Sequence, residues 1–138
     1  MALSSTRPST QSLAATAAVA AGAAIGGVLR MLVGDATHEL DLSPQWATAF
    51  ANVTGSLAIG LAAHWSANHR RHALHALSHP FLLTGVCGGY TTFSILSAET
   101  VALLASGRGG LAAVNVVGSL LLAVAAAWLG TRWARRRR

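Results

Sequence analysis

Four stretches of the chain, residues 12–29, 46–63, 81–98 and 109–131, run through apolar and small residues without one charged side chain. A helix that crosses a bilayer needs about 20 such residues, so each run is long enough or nearly so. The pattern predicts an all-α membrane protein with four transmembrane helices, over about 12–33, 46–65, 81–105 and 109–131. Nearly all of residues 1–138 is used by this single domain, which leaves no room for a separate soluble one. Short connections join the runs. Residues 34–45 carry Asp35, Glu39 and Asp41 and break helix at Ser43-Pro44; 66–80 are rich in His and Arg; 106–110 are tight and Gly-rich. Four helices are too few to enclose a pore alone, so an oligomer is expected.

Composition agrees, with hydrophobic residues at 53% and charged residues at 10%. Arg7 before an Ala-rich stretch would also suit a secretory signal, but the apolar run continues to Arg30, long for such a segment. The single cysteine, Cys87, lies inside a run and permits no disulfide within the chain. The net charge of +6 comes from arginine, there being no lysine. Its densest cluster, 135–138, directly follows an apolar run and has no interleaved aromatic residue beyond Trp133. That arrangement suits anionic lipid headgroups and argues against nucleic acid. Trp46, Trp65, Trp128 and Trp133 fall near run ends, where an interfacial aromatic belt belongs. His64, His69, His72, His75 and His79 invite a metal reading, yet their loop holds no Cys or carboxylate, and interfacial histidines are the expected reading.

The polar positions inside the runs carry the chemistry. "GGYTTFSIL", residues 88–96, puts two glycines, two threonines and a serine at mid-run. Irregular backbone at bilayer depth survives only where protein or a cavity satisfies its polar groups. A break at Gly88-Gly89 would start a half-helix near Thr91 or Thr92. The carbonyls before the break could then hold a cation, while the N-terminus and the hydroxyls of Thr92 and Ser94 faced an anion. Close helix packing is the other use of such a glycine pair. Asn52 sits within the second run and Asn115 and Ser119 lie four apart in the fourth, whereas no run has a central carboxylate. Glu99 lies toward the end of the third. Neutral donors suit a small anion that must also leave, and the ring edge of Phe93 is electropositive. Hydrogen bonding between helices is the structural alternative for the asparagines.

"GVCGGYTTFSILSAE", "TAFANVTGSLAIG" and "GGVLRML" together resemble the CrcB/Fluc fluoride channels, whose third and second spans are usually written GxxGGxTTFSTFSxE and TxxxNxxGSxxxG. The likeness touches all four runs. It implies a passive fluoride-selective channel that relieves toxicity, not an enzyme, built as an antiparallel dual-topology dimer. It also implies a structural sodium ion on the backbone carbonyls of Gly88 and Thr91. Fluoride-lining positions map onto Asn52, Phe93 and Ser119, with Thr92, Ser94 and Asn115 beside them, and Arg30 maps onto a vestibule or structural role. Two positions depart from the pattern: Leu96 stands where a second phenylalanine is usual, and Asn115 where a tyrosine is common. A small proton-coupled multidrug exporter is the main rival, but its mechanism wants a carboxylate in the first span, which has none. A non-conducting channel subunit is the third reading.

Orientation follows from charge. Eight of the ten arginines (Arg7, Arg70, Arg71, Arg132 and 135–138) fall on the side shared by both termini and the second connection. The positive-inside rule then puts both termini in the cytoplasm of a cell inner (plasma) membrane protein. An antiparallel dimer needs a member inserted the other way. The charge bias favours a heterodimer with a related four-span chain, against a second copy of this one.

Overall fold

The computed structural model describes residues 10–68, 77 and 79–136; the side chains of 63–68 are outside that description. Arg7, His69, Arg70, Arg71, His72, His75, Arg137 and Arg138 therefore lie outside the described residues, as do the side chains of His64 and Trp65. Every regular element among the described residues is a helix. Helix α1 is Thr10–Glu39 and α2 is Pro44–Asn68. Helix α3 begins as a π-helix, Pro80–Cys87, and continues as α-helix through Gly88–Tyr90. Helices α4 and α5 are Ser94–Ala105 and Gly109–Arg136.

Local sequence sets the boundaries. Pro44 has no N–H to leave unpaired in a first turn and its φ is already helical, so α2 begins there, as Ser43-Pro44 suggests. Between α4 and α5 the Gly107 N–H donates to Leu104 O at 3.0 Å and the Arg108 N–H to Leu103 O at 2.9 Å. These are the paired bonds of a glycine-terminated helix end, with Gly107 at φ 73°, where a side chain would strain the backbone. Arg108 O then accepts from Ala112 N and opens α5.

Among the described residues, three stretches are long and apolar enough to cross a membrane: Thr10–Glu39, Pro80–Ala105 and Gly109–Arg136. Helix α2 carries Asn52, Thr54, Gly55 and Ser56 within its apolar run. Its 25 residues still reach roughly 37 Å at 1.5 Å per residue.

The helices pack as two pairs, α1 along α3 and α2 along α5. Both seams rest on glycine. A Cβ at Gly85 would lie 2.8 Å from Gly22 Cα and from Val19 O, and one at Gly26 would lie 2.7 Å from Tyr90 N. In the other seam a Cβ at Gly130 would come within 3.1 Å of Gly60 Cα. Backbones this close gain dispersion contacts that bulky side chains would forbid, the usual solution where lipid removes the hydrophobic drive between helices. The large apolar side chains point outward instead, among them Val114, Leu121, Val124 and Trp128. At the end of α5 the Arg132 guanidinium lies 5.2 Å from the centre of the Trp128 ring, a charged and aromatic pair suited to headgroup depth.

The glycine pair in α3 corrects one expectation. Gly88 and Gly89 are helical, Gly88 with φ −66° and ψ −36°, and the chain leaves the helix only at Thr91, where ψ becomes 155°. Gly89 serves packing, since a Cβ there would lie 2.8 Å from Ala23 Cα, whereas the space beside Gly88 is open.

Candidate functional site: the turn between α3 and α4

Three residues, Thr91, Thr92 and Phe93, separate α3 from α4. The last turn of α3 is closed twice at Cys87 O, which accepts from the Thr91 N–H and from Thr91 Oγ1, both at 2.9 Å. Extended backbone at Thr91 then turns the next peptide away from the helix. In an unbroken helix the Thr92 N–H would donate to Gly88 O; here it donates to Asn52 Oδ1 at 2.7 Å. Asn52 Nδ2 returns a bond to Thr92 O at 2.9 Å. One carboxamide on α2 thus satisfies both backbone groups of Thr92, and Gly88 O loses its helical donor.

Other side chains hold the same turn. Arg30 Nε on α1 donates to Gly89 O at 3.3 Å. Thr54 Oγ1 and the Tyr90 hydroxyl are 3.0 Å apart. Gly55 has no side chain to obstruct Thr91 Cγ2 or the Tyr90 ring. Thr92 Oγ1 accepts from the Ile95 N–H at 3.2 Å, capping α4, and lies 3.2 Å from Ser94 Oγ. Phe93 projects from the turn with 70% of its surface exposed, and Ser94 is exposed beside it. The start of α4 therefore carries the hydroxyls of Thr92 and Ser94 beside the exposed Phe93 ring, whose edge is electropositive.

Asn115 and Ser119 lie elsewhere. Asn115 Nδ2 donates to Thr100 Oγ1 at 3.4 Å on α4, and Ser119 is buried; neither bonds to Asn52, Thr92, Phe93 or Ser94. Both line a groove of about 350 Å³ between α2, α4 and α5. Between these two places sits a pair that sequence spacing does not join: Thr48 Oγ1 donates to Glu99 Oε1 at 2.6 Å, while Glu99 Oε2 is buried with no hydrogen-bond partner among the described residues. Thr48, Tyr90 and Thr100 are polar residues in apolar runs, which is the only sign of them in the sequence.

Residues 17–131 match the family described as "CrcB-like protein, Camphor Resistance (CrcB)". The chain is 44% identical over 115 residues to the fluoride-specific ion channel FluC 1 of Rhodopseudomonas palustris, covering 83% of this chain and 82% of that one. Over 115 residues it is 43% identical to the fluoride-specific ion channel FluC of Paramagnetospirillum magneticum, covering 83% and 90% respectively. The protein of the same name from Nitrobacter winogradskyi is 44% identical over 120 residues, or 86% of this chain and 93% of that one.

Proposed function

Since the chain belongs to the CrcB-like family, we propose that it is a passive fluoride-selective channel and not an enzyme, releasing fluoride from the cell across the inner membrane. The observation that carries this reading is the turn between α3 and α4. It gathers neutral donors and an aromatic edge at the middle of an apolar stretch, a set that can replace an anion's hydration shell without trapping it.

In this reading α1, α2, the α3–α4 pair and α5 are four spans, over about 12–33, 46–65, 81–105 and 109–131, with the third broken at Thr91–Phe93. Thr92, Phe93 and Ser94 line the pathway at the break, and Asn115 and Ser119 line it in the groove. Asn52 belongs to the pathway by fixing Thr92, because both of its polar atoms are engaged there. Arg30 is structural, satisfying a carbonyl at the break. The working unit is an antiparallel pair in lipid, with both termini of this chain cytoplasmic. Its arginine bias favours a related four-span partner over a second copy. Such a partner would also supply the ring missing at Leu96.

A structural sodium ion fits the same turn. Gly88 O has lost its helical donor and Thr91 O lies outside the helix, so these two oxygens would hold the ion, which supplies fixed positive charge and locks the pair. Replacing sodium by a bulky organic cation is expected to slow fluoride efflux severalfold or stop it, with no coupling between the two fluxes. Efflux at an unchanged rate after exhaustive sodium removal would remove sodium from the account.

The exposed ring offers the sharper test. Phe93→Ala deletes a ring that packs little within the chain, so liposomal fluoride efflux should fall at least about tenfold while elution on size exclusion stays unchanged. Native efflux from that variant would make Phe93 a packing residue. The exporter alternative keeps one point in its favour, the buried carboxylate of Glu99, but predicts efflux driven by a proton gradient.

A further inference from the structure

The groove between α2, α4 and α5 is walled by Trp46, Leu103, Leu111 and Val114, apolar residues that a lipid chain would suit. Two features argue that water fills it instead. Ser119 lines it with only 5% of its surface exposed, and its hydroxyl makes no hydrogen bond among the described residues. Its Oγ is not among the buried atoms that lack a partner, so the hydroxyl opens onto the groove, where water or an anion can meet it and a lipid chain cannot. The second feature is Arg108. Its backbone is fixed, the N–H by Leu103 O and the carbonyl by Ala112 N, so the side chain is delivered to the groove by the junction of α4 and α5. Only Nε is engaged, donating to Ser106 Oγ at 3.0 Å; the two Nη groups have no partner among the described residues. No carboxylate lines the groove, and Glu39 and Asp41, close in sequence to its Ser43 rim, are outside its lining. Its charge is therefore not neutralised within the described chain.

We propose that this groove is a hydrated approach to the ion pathway, and that Arg108 gathers small anions at it, ahead of Asn115 and Ser119. The assignment rests on the channel reading above and adds to it a residue that acts on delivery, not on coordination. A single charge beside a cleft with low-dielectric walls raises the local anion concentration, and the effect decays over a Debye length of about 30 Å at 0.01 M salt and about 8 Å at 0.15 M.

Fluoride efflux from proteoliposomes should be measured for the native chain, Arg108→Gln, Arg108→Lys and Ser106→Ala, at low fluoride and across a series of ionic strengths set by an impermeant salt. At the lowest ionic strength Arg108→Gln should conduct about threefold to tenfold more slowly than native. The gap should close as salt rises. Arg108→Lys, which keeps the charge, and Ser106→Ala, which loses the bond from Arg108 Nε and the hydroxyl's own bond to Leu103 O but no charge, should stay near the native rate. Equal rates for Arg108→Gln and native at every ionic strength would overturn the proposal. A loss in Arg108→Gln that ignores salt, or one that Ser106→Ala shares, would overturn it too by showing a structural role for the turn. Absence of fluoride efflux from the native chain defeats the channel reading itself, a result distinct from these.

Discussion

Gly85→Leu is expected to abolish properly folded protein. The first side-chain atom would lie 2.8 Å from both Gly22 Cα and Val19 O, and these neighbours are backbone that cannot swing aside. Helices α1 and α3 would have to separate along their whole seam, undoing the approach of Gly26 to Tyr90 and of Gly89 to Ala23 as well. Overpacking against flexible side chains costs roughly 1–3 kcal/mol; against backbone at this distance the cost should exceed about 3 kcal/mol. Gly27→Ala is the control, since nothing lies within 4 Å of its Cβ position. It should be neutral, or more stable by up to about 1 kcal/mol from helix propensity. Monodisperse yield in detergent and thermal unfolding read both. A Gly85→Leu protein that purifies and melts like native would mean that α1 and α3 do not pack through their glycines.

Asn52→Leu should leave a protein that assembles and does not conduct. The substitution has nearly the same volume, but it strands the Thr92 N–H and C=O, which have no other partner among the described residues. Each unpaired group costs about 1–3 kcal/mol, and it falls on the three residues that form the turn, not on the glycine seams. Relaxation of Thr92 toward Gly88 O would straighten the helix and carry Phe93 and Ser94 off the pathway. Fluoride efflux should fall by about tenfold or more while the elution volume is kept. Asn52→Asp restores one acceptor for the Thr92 N–H and loses the donor to Thr92 O, so it should recover little. Native efflux from Asn52→Leu would show that the turn holds without the carboxamide.

The elements of the fold were legible because apolar runs and punctuation act locally. Ser43-Pro44 marked the start of α2, and the Gly-rich stretch 106–110 marked the turn before α5. The position of the break was not legible, because glycine only permits departure from a helix. What enforces departure here is the bond from Thr92 N–H to Asn52, 40 residues away in sequence. Asn52 stood out as a carboxamide in an apolar run, but its partner is a backbone group, and backbone partners leave no trace in side-chain patterns. The pair of Thr48 and Glu99 is a similar case, formed across 51 residues by the packing of α2 against α4. Gly22, Gly26 and Gly85 were hidden for the opposite reason: glycine is common in membrane helices, and only the crossing of α1 with α3 shows which ones meet.

Ion flux from sealed liposomes separates a fluoride channel from a proton-coupled exporter and from a non-conducting subunit. The purified chain, reconstituted alone and together with a related four-span chain of opposite charge bias, would be loaded with fluoride or with chloride, and efflux followed with ion-selective electrodes after a potassium ionophore is added. A fluoride channel should release fluoride rapidly and retain chloride, in the paired preparation at least, with no dependence on an imposed proton gradient. Fluoride retained in both preparations, or chloride released as fast as fluoride, would contradict the channel reading.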